Sequence, residues 1–204
     1  RHAEYNEGVF VGYRYYDKKE MAVRYPFGHG LSYTTFEYSD IKLSDTAVGD
    51  DDILTVNVVI TNTGNCAGKE IVQLYVADKS GFAVRPEKEL KDFIKIELQP
   101  GERKTVTFRL DKRAFSYYNE ELGDWYAPNG KYDIMIASSS RDIRLTAEVT
   151  HKTAVKLPFV ATENTVFGEF MDYAEGKATI DLLFSKVAKG LLGGDHFEPE
   201  AVRS

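Results

Sequence analysis

The sequence predicts a mostly β chain organised around one two-sheet sandwich of about seven strands. Two observations carry this: apolar residues alternate with period two in short runs, and turn-forming residues interrupt those runs at regular intervals. A third concerns the core. Of the 204 residues, 43% are hydrophobic and 13% aromatic, enough to bury a continuous apolar interior and to exclude global disorder.

Taken in order, a first strand is expected near Phe36–Leu43. Leu54, Val56, Val58 and Ile60 then share one face of a second, which Gly64 breaks. The third begins near Glu70, with Val72, Leu74 and Val76 facing one way and Ile71, Gln73 and Tyr75 the other, so both faces are expected to be covered. A polar stretch over Asp78–Glu89, interrupted by Gly81 and Pro86, reads as a long loop whose basic residues Lys79, Arg85 and Lys88, with Lys91 just beyond, are solvated. A shorter strand near Leu90–Ile96 follows. Val106, Phe108 and Leu110 alternate after the Pro100-Gly101 turn; Tyr132, Ile134 and Ile136 follow Pro128-Asn129-Gly130; Leu145, Ala147 and Val149 complete the set. Such a set suggests the immunoglobulin or fibronectin type III class of sandwich. A single cysteine, Cys66, excludes the sheet-to-sheet disulfide of antibody domains, and its place in a turn makes it an incidental residue.

Both flanks differ. The first forty residues hold Tyr13, Tyr15, Tyr16, Tyr25, Phe27 and Tyr33, too many rings for a solvated tail. They read as a strand, a turn-rich connector around Gly28 and Gly30, and then a strand already begun at Leu31-Ser32-Tyr33, forming a junction between two domains. After Pro158 the period becomes helical: Phe167, Phe170, Met171 and Ala174 form one helix ended by Gly176. Ile180, Leu183, Phe184, Val187 and Leu191 form the stripe of a second, stopped by Gly190, Gly193 and Gly194. The expected organisation is therefore 1–33 as the end of a preceding α/β domain with its linker, 34–152 as the sandwich, and 153–204 as a helical extension.

The run Glu7-Gly8-Val9-Phe10-Val11-Gly12-Tyr13-Arg14-Tyr15-Tyr16-Asp17, followed by Phe27-Gly28-His29-Gly30-Leu31-Ser32-Tyr33-Thr34, resembles the domain junction of glycoside hydrolase family 3. Asn62-Thr63-Gly64, Ala67-Gly68-Lys69-Glu70 and Val72-Gln73-Leu74-Tyr75-Val76 resemble strands of that family's fibronectin type III-like domain, as do Tyr132-Asp133-Ile134 and Ser138-Ser139-Ser140-Arg141-Asp142-Ile143. The tail is similar to a helical extension of some bacterial members. The resemblance implies a parent β-glucosidase that releases terminal non-reducing β-D-glucosyl residues with retention, without metal or organic cofactor. It also implies that the nucleophilic aspartate belongs to an upstream barrel and the acid/base glutamate to a middle domain. Neither motif has a match here, so no catalytic residue is assigned. The implied role is mechanical support of the parent's catalytic domains, with a homodimer as a further partnership and the bacterial cytoplasm as the favoured compartment.

The alternative is a carbohydrate-binding module. Tyr13, Tyr15, Tyr16, Tyr117, Tyr118, Trp125 and Tyr126 are the rings able to stack on sugar; interdomain packing explains the first three better, and for the rest, with Trp125 and Tyr126 the substrate-binding candidates, the other reading is that they cap the sandwich as core or interface. Glu120, Glu121 and Asp124 beside Trp125 superficially suit glycoside hydrolysis, which needs two carboxylates, but they read as an ordinary solvated turn. His2, His29, His151 and His196 have no paired spacing suited to a metal, and Asp50-Asp51-Asp52 lacks a calcium-loop pattern and reads as solvated. A net charge of −6 with interspersed signs excludes a basic face for nucleic acid or anionic membrane, and no apolar run reaches membrane-span length.

Overall fold

The computed structural model describes residues 8–158 and 174–192. Expectations placed on His2, Glu7, Phe167, Phe170, Met171, Gly193, Gly194 and His196 lie outside them. Two compact units are distinguished, one ending at Val155 and one beginning at Lys156.

In the first unit, helix α1 (Tyr13–Lys18) precedes β1 (Phe36–Leu43), β2 (Ala47–Val48), β3 (Leu54–Asn62), β4 (Gly68–Asp78), β5 (Glu89–Leu98) and β6 (Arg103–Leu110). A single-turn helix α2 (Lys112–Phe115) leads to the hairpin β7 (Tyr117–Asn119) and β8 (Asp124–Tyr126), then to β9 (Gly130–Ser139) and β10 (Asp142–His151). One sheet has the order β1-β3-β6 and the other β2-β10-β9-β4-β5. The seven expected strands are β1, β3, β4, β5, β6, β9 and β10. The additions are the two-residue β2, paired parallel to β10, and the β7–β8 hairpin.

The inner faces follow the alternation. Leu54, Val56, Val58 and Ile60 of β3 meet Val72, Leu74 and Val76 of β4 and Ile134 and Ile136 of β9 in one apolar cluster. Each such side chain contributes roughly 1.5–3 kcal/mol of burial. At one corner the fully buried Asn62 donates through Nδ2 to the carbonyls of Cys66 (2.8 Å) and Leu98 (3.0 Å) and accepts from Thr34 Oγ1 (2.6 Å). Cys66 thus holds its turn through its backbone, with its side chain exposed.

Three expectations are corrected. Residues expected as a strand form α1: Gly12, with φ 61°, turns the chain, and a helix puts Tyr13 and Asp17, four apart, on one face. Strand β1 occupies Phe36–Leu43 as expected, but Leu31-Ser32-Tyr33, read as already in strand, lie before it. In the second unit Gly176 and Gly190 lie inside a 19-residue helix α3 (Ala174–Leu192), so neither glycine stops it. Its Leu182, Leu183, Phe184 and Val187 are exposed.

Asp50 is also drawn in rather than solvated. Its carboxylate lies 3.4 Å from Lys112 Nζ and 3.8 Å from Nε2 of His151, which is fully buried, stacked on Phe115 and edge-on to Tyr132. Among the described residues neither ring nitrogen of His151 makes a well-directed hydrogen bond. Burial pushes its pKa below the ordinary 6.5, outweighing the opposing pull of Asp50, the Pro128 backbone and Asp52; Lys112 adds to the depression. The folded state therefore takes up fewer protons than the unfolded one. Its stability advantage is complete above about pH 6.5 and is lost as the pH falls through the depressed folded value. Thermal melts from about pH 7.5 to 5 are expected to show this decline, and His151→Gln to flatten it.

Candidate docking interface

The N-terminal segment is fastened to the outer face of the five-stranded sheet. The Tyr13 ring stacks on Phe27 (4.8 Å, 19°) and meets Tyr75 edge-on at 6.0 Å, while its hydroxyl accepts from the Leu90 amide at 2.8 Å. Asp17, buried one turn later, accepts from Lys88 Nζ at 2.8 Å and Arg141 Nε at 3.0 Å. Arg141 also donates through Nη2 to the Met21 carbonyl at 2.7 Å, tying the end of the helix to the β9–β10 turn.

The connector is held by Gln73, whose Nε2 donates to Gly28 O (3.0 Å) and Ser138 O (2.7 Å) while its Oε1 accepts from Tyr75 Oη (2.7 Å). Burial, reinforced by Tyr13 and Asp17, pushes the Tyr75 phenol pKa up, so the hydroxyl keeps its proton to donate. Gly28 adopts φ +77°, and a Cβ there would press on the Gln73 amide end. A side chain at this backbone angle is strained, and it would push Gln73 off its hydrogen bonds. The Ser140 amide completes the clasp by donating to Phe27 O at 2.8 Å.

The clasp divides the aromatic run. Tyr13 and Asp17 engage the sandwich through their side chains and Phe27 through its carbonyl, whereas the side chains of Tyr15, Tyr16, Met21, Tyr25 and Phe27 are exposed, and Leu31 (92%) and Tyr33 (101%) protrude fully. Large apolar side chains held outward by a polar clasp form a surface suited to a protein partner. Of Tyr13, Tyr15 and Tyr16, read as interdomain packing residues, Tyr13 packs on Tyr75 of the sandwich and the other two are exposed. Asp17→Ala is expected to cost on the order of 1.5–3 kcal/mol. Trypsin should then cut faster after Lys18, Lys19 and Arg24, with the far-ultraviolet signal of the sandwich retained.

The loop residues are not solvated as expected. Arg85, 8% exposed, donates to Asp78 Oδ2 (3.2 Å), Glu89 Oε2 (2.8 Å) and the carbonyls of Phe115 (2.7 Å) and Ser116 (3.2 Å). Arg14 and Lys91 also reach Glu89, each at 3.4 Å, and only Lys79, paired with Asp133, stays half-exposed. Burial lowers the Lys91 pKa against the pull of Glu89.

Of the sugar-stacking candidates, Trp125 is half-buried on β8 with the Arg113 guanidinium 3.3 Å above its ring and Tyr118 edge-on at 5.7 Å. Tyr126 is buried beside Phe82 and Tyr117. Glu120, Glu121 and Asp124 are exposed around the β7–β8 turn. No cluster of three histidine, cysteine or acidic side chains suited to a metal occurs among the described residues, and no helix there is long and apolar enough to cross a membrane. Asp17, Gln73, Arg85 and Arg141 were not singled out as site residues from sequence. For Gln73 a signal existed, a polar residue inside a run otherwise fit for burial.

The sandwich defines a fibronectin type III-like module with an N-terminal segment clasped to its outer face. Residues 70–140 match the fibronectin type III-like domain family. The chain is 49% identical over 188 residues to thermostable beta-glucosidase B of Acetivibrio thermocellus, covering 92% of this chain and 25% of that protein. It is 45% identical over 169 residues to an exo-alpha-(1->6)-L-arabinopyranosidase of Bifidobacterium breve, covering 83% and 22%. The crystal structure of a Bifidobacterium adolescentis family 3 beta-glucosidase superposes with a TM-score of 0.73 at 41% identity, covering 85% of this chain and 25% of that one. The chain matches the fibronectin type III-like portion of family 3 glycoside hydrolases, and it spans about a quarter of the length of these relatives.

Proposed function

We propose that this chain is the non-catalytic C-terminal part of a β-glucosidase-type enzyme, serving to hold that enzyme's catalytic domains in place. The organisation is a junction over 1–33, a sandwich over 34–152 and a helical extension over 153–204. The observation that carries the reading is the divided junction: Tyr13 and Asp17 are tied to the sandwich while Tyr25, Phe27, Leu31 and Tyr33 are exposed. Relatives named for a β-glucosidase and for an arabinopyranosidase share this portion at 49% and 45% identity, which supports support rather than sugar selection as its task. Hydrolysis of terminal β-D-glucosyl residues then belongs to the upstream domains.

The chain by itself is expected to give no turnover of an aryl β-glucoside, and release of the phenol above blank would overturn the assignment. The carbohydrate-module alternative requires a free Trp125 face, and Arg113 occupies one. Affinity electrophoresis in soluble glucan is expected to show no retardation; retardation abolished by Trp125→Ala would favour that alternative.

A further inference from the structure

We infer that the cleft between the loop 79–88 and the β7–β8 hairpin is a second docking point, receiving an acidic, partly aliphatic segment of the domain that precedes the junction. The inference rests on the reading above. Three independent features converge on it.

The loop is built to be stiff. Arg85 is bonded to two carboxylates and two carbonyls, the Lys79 amide donates to Lys131 O at 2.9 Å, and Ser80 N donates to Asp78 Oδ1 at 2.7 Å. Yet this anchored loop presents Val84 at 83% exposure and Phe82 at 53%. An apolar tip whose backbone is already ordered loses little entropy when a partner covers it.

The cleft beneath, about 790 Å³, is lined by Val9 and Arg14 of the junction together with Val84, so it is continuous with the interface already described.

The charge is complementary to an acidic segment. Arg14, Arg85 and Lys91 all reach Glu89, Arg85 being paired with Asp78 as well, and Arg109 and Arg113, which also line the cleft, have no ion pair among the described residues. Asp92 and Asp111 also line the cleft and accept from the Phe93 and Arg113 amides, so with Glu89 the lining sets three acids against the five cations Arg14, Arg85, Lys91, Arg109 and Arg113. A chain of net charge −6 thus keeps a cationic pocket beside its junction.

Hydrogen exchange read by mass spectrometry tests this, comparing the 204-residue chain with the polypeptide extended upstream to the length of its relatives. Amides of 81–85 and 118–125 are expected to exchange about tenfold more slowly in the longer polypeptide. Val84→Asp, and separately Arg109→Glu with Arg113→Glu, should restore fast exchange there while 9–33 stays protected. Fast exchange at 81–85 with 9–33 protected overturns the second docking point and leaves the supporting role intact. Fast exchange at both sites overturns both. Protection that arises in the short chain on concentration, with doubled mass, assigns the cleft to a second copy and overturns the inference.

Discussion

Leu74→Ala is expected to lower stability by about 2–5 kcal/mol, the range for a fully buried leucine whose neighbours cannot close the space it leaves. Leu74 is 0% exposed on β4, registered between Asp92 of β5 and Ile136 of β9, with inter-sheet neighbours from β3. Its strand is interior to its sheet, so the backbone cannot shift toward the cavity without breaking ladders on both sides. Urea unfolding should show a lower midpoint at unchanged slope. Ile71 on the same strand supplies the contrast. At 42% exposure its truncation should cost about 1 kcal/mol. Equal losses at the two positions would mean that the sandwich core is not where the packing places it.

Arg85→Ala is the second large effect, and its cause is electrostatic. The guanidinium and the Asp78 carboxylate are 8% and 5% exposed, so removing the cation strands a carboxylate away from water. Breaking such a buried pair costs about 3–5 kcal/mol. Arg85→Lys should recover little, because one ammonium cannot reach two carboxylates and two carbonyls in the planar geometry that Arg85 uses. The pH profile carries a separate signature. Burial raises the Glu89 pKa, but Lys91, Arg85 and Arg14 together bring it below the usual carboxylate value. A depressed carboxyl contributes stability at higher pH that disappears as the pH falls through its folded pKa. Without Arg85 that depression shrinks, so the variant's pH-dependent acid loss should be smaller as well as its overall stability lower. Melting temperatures from pH 7 downward check both parts.

The strands were legible because their cause is local. Alternation at Leu54, Val56, Val58 and Ile60 puts four apolar side chains on one face of any extended chain, and Pro100-Gly101 or Pro128-Asn129-Gly130 must turn wherever they occur. The motifs of the junction were legible too, as a resemblance carried by residue order. The helical form of residues 13–18 was not, since Tyr-Arg-Tyr-Tyr has no period of its own. What selects the helix is Tyr75, sixty-two positions later than Tyr13, together with Lys88 and Arg141, which accept only an Asp17 placed one turn along.

The docking surface followed the same division. Counting aromatic residues identified a segment that needs a partner, yet could not separate Tyr13, which finds its partner at home, from Tyr33, which does not. Arg85 and Lys88 read as solvated because a cation in a polar loop is solvated unless distant carbonyls and carboxylates converge on it, as those of Phe115, Ser116, Glu89 and Asp17 do. The sequence by itself determined the strands, the turns and the kinship, all properties of neighbours along the chain. Only the tertiary structure decided which polar groups would be buried and which apolar ones left outside, because desolvation depends on what the folded chain brings near, however far away it lies in sequence.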